Sequence, residues 1–201
     1  MIGNRTLSQQ NGTWAKRFMA AAILQGAIVT GLTVVLLLGQ ASFMKPEVSR
    51  VMAAGGAGTW FTFGYMMYII VGVMGVAVSA LFYHYLENVL GKHIRGSAKA
   101  LAWGHLVLMN IGTAAAMGLF MYAGYLGGAS MLPENVGGQG FNAGQAHEIL
   151  VSFVEPISVA ILVIVASVVA GGIGFLATYR TSTMSRSSEL LETGSKEVDI
   201  T

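Results

Sequence analysis

The chain has 201 residues, 54% of them hydrophobic and 10% charged, with a mean hydropathy of +0.66. A soluble domain carries about 25% charged residues, so a soluble globular fold is excluded and a single integral membrane domain is expected. The net charge of +2 is too small to draw nucleic acid, and the absence of cysteine excludes disulfides, thiolate metal sites, Fe–S clusters and covalently attached haem.

In chain order, a polar segment at 1–17 precedes four apolar runs at 18–44, 60–86, 100–127 and 149–179. A helix rising 1.5 Å per residue crosses a ~30 Å hydrocarbon core in about 20 residues, so each run can span it. The first run is longer than the core of a signal peptide and is expected to be a retained helix. The fold class is therefore all-α: an integral membrane four-helix bundle over residues 18–179, followed by a polar tail at 180–201. The tail is rich in serine and charge and is expected to be disordered or only weakly helical. The connections at 46–58 and 128–144 are glycine-rich and read as irregular loops.

Lys and Arg orient the bundle. Nine of them, among them Arg5, Lys16, Arg17, Lys92, Arg95, Lys99 and Arg180, fall on the side of the termini. Only Lys45 and Arg50 fall on the other. Both termini are expected to be cytoplasmic, in the cell (inner) membrane. Small residues four apart mark expected helix seams: Ala166, Ala170 and Gly174 in the fourth run, Gly112 with Ala116 and Gly124 with Gly128 in the third, and Gly75 with Ser79 in the second.

Polar residues inside apolar runs are the candidates for function. Glu155 lies in the fourth run, directly before Pro156, where an ionised carboxylate costs roughly 2.5–3.5 kcal/mol. Helical spacing sets Glu148, Ser152 and Glu155 on one face. Such a column suits proton or cation passage, or the carboxylate meets a polar partner on another helix or subunit. Gln25 and Asn110 are expected to make interhelical hydrogen bonds. His84 and His105 lie at matching depth on the second and third helices, where two imidazoles can hold a b-type haem or serve as interfacial hydrogen-bonding groups. The methionines, including Met109, Met117 and Met121, read as apolar filler in the absence of a paired His or Cys pattern. No catalytic residue and no metal site stands out.

Several stretches carry a resemblance. Lys16-Arg17-Phe18 leading to Gln25 and Gly31, the run from Gly72 to Ala77, Leu101-Ala102-Trp103 followed by Gly124-Tyr125, and Val154-Glu155-Pro156-Ile157 resemble, in order, helices I to IV of heme-copper oxidase subunit I. The nearer relatives in that superfamily are the cbb3-type oxidases and nitric oxide reductases. The resemblance implies membership of a membrane oxidoreductase complex. In that family helix II carries a haem-binding histidine, and the corresponding place here, about Phe61 and Phe63, has none. The family's remaining ligands lie on later helices. The expectation is a noncatalytic accessory or structural subunit, without a cofactor of its own, among other integral membrane subunits in the lipid bilayer. A respiratory oxidase or a copper membrane monooxygenase would be the host. The competing expectations are an electron-transfer subunit binding haem b through His84 and His105, and a small proton or solute transporter using Glu148 and Glu155.

Overall fold

The computed structural model describes the backbone over residues 12–198 and side chains over 12–180, so the expectation for residues 1–11 lies outside the described residues. Four helical stretches are long and apolar enough to cross a membrane: Thr13–Ser42, Gly56–Val89, Ser97–Met131 and Ala143–Arg180. Among the described residues there is no strand. The helices alternate in direction and place Lys16, Arg17, Lys92, Arg95, Lys99 and Arg180 at one end of the bundle, called the basic end below.

Helix α1 (Thr13–Ser42) leads into a short α2 (Val48–Ala53), so the first connection is more ordered than its composition implied. Val51 of α2 is fully buried, and its side chain lies against Gly58 and Gly128. Gly55 and Gly56, at φ +70° and +51°, then reverse the chain in the left-handed region that glycine occupies without steric cost. The second span is composite: α3 (Thr59–Met67), a π-helical stretch Tyr68–Gly75, α4 (Val76–His84) and a second π-helical stretch Tyr85–Val89. Helix α5 (Ser97–Met131) is the central element and packs on α6, α3 and the π-helical stretch. Helix α6 (Ala143–Val198) opens with a reciprocal cap, in which Asn142 N–H donates to Gln145 Oε1 and Gln145 N–H to Asn142 Oδ1, both at 3.0 Å. Its backbone stays helical through Val198, where a disordered or weakly helical tail was expected; Glu189, Leu190, Leu191, Glu192 and Lys196 are all good helix formers.

Large apolar side chains such as Ile23, Leu24, Leu38, Leu81 and Leu162 point outward, as they do in a bundle whose solvent is lipid. The seams are made by small residues. A Cβ on Gly124 would lie 2.0 Å from the Phe61 backbone nitrogen, and one on Gly64 would lie 2.8 Å from the Met117 carbonyl oxygen, so α3 and α5 touch backbone to backbone. On α6 the seam differs from the row expected. Ala166 is exposed and Ala170 half-buried, whereas Ala160, Ser167, Gly171, Gly174 and Thr178 are buried. Steps of four drift around a 3.6-residue helix; alternating steps of three and four hold one face.

Candidate functional site

Three polar constellations lie within the spans, and they differ in how completely their groups are satisfied. The first joins three spans at the centre of the bundle. Gln25 of α1, 4% exposed, donates from Nε2 to Asn110 Oδ1 of α5 at 2.8 Å. The Tyr68 hydroxyl donates to Gln25 Oε1 at 2.5 Å, and Asn110 Nδ2 donates to the Leu106 carbonyl at 2.7 Å. Gln25 and Asn110 thus meet, and the third partner, Tyr68, carries no signal of its own in the sequence. Beside them Thr113 is fully buried, and its Oγ1 has no hydrogen-bond partner among the described residues.

The second constellation surrounds His105, which is 8% exposed. Its Nε2 lies 3.4 Å from Ser79 Oγ and its Nδ1 3.4 Å from the Tyr83 hydroxyl. Phe18 lies across the ring with centroids 4.9 Å apart. Ser79 Oγ itself donates to the Gly75 carbonyl at 2.9 Å, so it can only accept from His105. The arrangement is therefore a directional chain: Tyr83 O–H to Nδ1, Nε2–H to Ser79 Oγ, and Ser79 O–H to the Gly75 carbonyl. His84 does not join it. His84 is exposed, and its Nδ1 meets Asn88 Nδ2 at 2.8 Å. Successive helical positions diverge by about 100°, so Tyr83 facing His105 turns His84 away. His105 faces the bundle interior and His84 its exterior, so the two histidines of the competing haem reading lie in different surroundings.

The third constellation is the Glu155 face of α6. Glu148, Ser152 and Glu155 do share a face, and all three are exposed. Ser152 Oγ donates back to the Ile149 carbonyl at 2.7 Å. Neither carboxylate has a hydrogen bond or an ion pair with a described residue. Glu155 stands about 18 Å along α6 from Ala143. It borders a shallow groove of about 450 Å³ whose other wall includes Ile111, Gly112, Ala115 and Leu119, near the middle of α5. Pro156 lines the same groove and lacks the N–H that would bond the Ser152 carbonyl, which leaves a second polar group at this level.

One polar residue that matters was not singled out from the sequence. Glu87, at the end of the second span, accepts from Trp14 N–H at 3.0 Å and from Ala15 N–H at 3.1 Å. Asn88 Oδ1 accepts from Gly12 N–H at 3.2 Å. The carboxylate thus caps α1 from another helix, satisfying orphan donors at the positive end of the helix dipole. That is why α1 begins at Thr13, five residues before the expected boundary. Around this cap Arg17 lies over both Trp14 and Trp103, 4.6 and 4.8 Å from the ring centroids. No protein-family model, curated protein or solved structure matches this chain.

Proposed function

We propose that this protein is a noncatalytic membrane subunit whose α5/α6 face docks another integral membrane subunit, with Glu155 as the polar anchor. One observation carries the reading: a carboxylate on the outer face of the bundle, level with the middle of α5, with no partner among the described residues. Ionisable residues at such depth nearly always face a bundle interior or a water-filled cavity, because lipid offers no hydrogen bond. A donor from a second subunit turns this outer face into such an interior. The small residue Ala115, exposed on the groove beside Glu155, lets a foreign helix approach closely. The resemblance of the four spans to helices I to IV of heme-copper oxidase subunit I directs the choice of host to a membrane oxidoreductase, a respiratory oxidase or a copper membrane monooxygenase. The bias of Lys and Arg supports an orientation with both termini in the cytoplasm, and the reading takes the membrane to be the cell membrane.

The test is mass spectrometry of the native assembly after gentle solubilisation, with wild type and Glu155→Gln side by side. The expected result is co-purification of further membrane subunits with wild type and their loss from the variant. Full retention of those subunits by Glu155→Gln overturns the anchor. Proton or solute flux through the purified chain in liposomes, abolished by Glu155→Gln, would favour transport instead.

A further inference from the structure

The His105 constellation forms one wall of a cavity of about 400 Å³ between the second span, α5 and α6, within the roughly 300–1,000 Å³ of small-molecule sites. The space exists because Gly75, Gly171 and Gly172 contribute no side chains to its walls. The fit at Gly171 is close: a Cβ there would lie 2.3 Å from His105 Nδ1. Gly172 is exposed, and a Cβ there would meet nothing within 4 Å, so that position lies at the cavity's open rim. Phe82 and Phe175, edge to face with centroids 5.8 Å apart, border the cavity, and its exposed rim at Phe82, Val168 and Leu176 faces the lipid side of the bundle.

The chemistry of the walls narrows the occupant. No Lys, Arg, Asp or Glu lines the cavity, so a carboxylate- or phosphate-bearing ligand has no counter-charge there. Hydrogen-bonding capacity is concentrated in one patch, Ser79, Tyr83 and His105, while the rest is aromatic and aliphatic. Both contacts of the imidazole are 3.4 Å long, at the outer limit of hydrogen bonding, so the patch holds capacity that its own members use weakly. π-helical stretches, frequent at functional sites, flank the segment carrying Ser79 and Tyr83. A neutral, flat, lipid-soluble ring with a hydrogen-bonding oxygen matches all of these features.

We propose that this cavity binds the ring of a quinone or quinol, with a ring oxygen at the Tyr83–His105–Ser79 patch and the isoprenoid tail leaving past Phe82 and Leu176 into the bilayer. The inference does not depend on the docking role of Glu155, which lies further toward the opposite end of α6.

Trp14, whose ring centroid is 6.1 Å from that of Tyr83, supplies the readout, because a quinone ring quenches indole fluorescence at short range. The full chain in detergent is titrated with decyl-ubiquinone, with decyl-naphthoquinone, and with decanol as a ringless control. Expected are saturable quenching by at least one quinone and none by decanol. Gly172→Leu, which sets a branched side chain across the open rim where the ring must enter, should weaken binding by more than tenfold. Tyr83→Phe should weaken it roughly three- to tenfold, the worth of one neutral hydrogen bond. Helical circular dichroism and a single size-exclusion peak establish that each variant is folded. Quenching without saturation, or the same affinity in folded Gly172→Leu, overturns the proposal. Competition of the quinone by decanol at equal concentration would assign the cavity to a lipid chain. A Soret band in the purified protein that His105→Leu removes would assign it to haem.

Discussion

Two carboxylates of this chain, Glu87 and Glu155, stand in opposite relations to the bundle. Glu87 is half-buried at the basic end and accepts backbone N–H groups from the first turn of α1 at 3.0–3.1 Å. Its surroundings are similarly closed: Arg17 lies over two indole rings, and Lys92 Nζ donates to the Tyr179 carbonyl at 2.5 Å. Glu155 lies on the outer face, level with the middle of α5, and meets no described donor. The same functional group is in one place a staple between two helices of one chain, and in the other a group with no partner among the described residues. What separates them is depth and azimuth together, Glu87 at the end of the bundle and turned to α1, Glu155 midway along it and turned outward, where in lipid a polar group must find its partner in protein.

The comparison breaks first at Glu87 if it is mistaken. Glu87→Ala removes the acceptor of the Trp14 and Ala15 N–H groups at the α1 cap and should cost the isolated chain roughly 2–3 kcal/mol, the worth of hydrogen bonds to a charged group. Unfolding in detergent followed by circular dichroism measures this, and a loss below about 0.5 kcal/mol would place Glu87 among ordinary surface residues. Gln25→Leu should cost about 1–2 kcal/mol, because the Tyr68 hydroxyl and the Asn110 amide lose their partner inside the bundle. Adding Tyr68→Phe should recover part of that cost, since removing both partners leaves fewer orphaned groups. If the double variant is the plain sum of the two single ones, the Tyr68–Gln25 bond is not a coupled element of the core.

Much of the architecture is legible in the sequence, because long apolar runs need little context to be read as spans. What escapes is whatever depends on direction around a helix or on residues far apart in the chain. The start of α1 at Thr13 depends on Glu87, which no local signal near Thr13 announces. The seam of α6 runs through Ser167 and Gly171 rather than Ala166 and Ala170, a shift of one residue that spacing of small residues alone does not resolve. The same shift separates His84 from Tyr83: matching depth with His105 can be counted along the chain, but which neighbour faces the ring cannot. The π-helical stretches compound this, since each alters the register on which face counting rests. Gln25 and Asn110 are legible as buried amides; their arrangement with Tyr68 is a property of three helices at once.

The smallest expected effect is the most discriminating. Glu155→Gln should change the stability of the isolated chain by no more than about 0.5 kcal/mol, as for a surface position with no intrachain partner. A group that contributes to the folded chain through its own contacts cannot be replaced so freely; Glu87, with its backbone donors, is the internal control. The measurement is the unfolding free energy of the purified chain in detergent, set beside recovery of the native assembly from membranes carrying the same variant. Loss of assembly at unchanged chain stability assigns the carboxylate to an interface between subunits. A drop in chain stability comparable with that of Glu87→Ala would mean that Glu155 finds its partner within this chain, and the distinction between the two carboxylates would collapse.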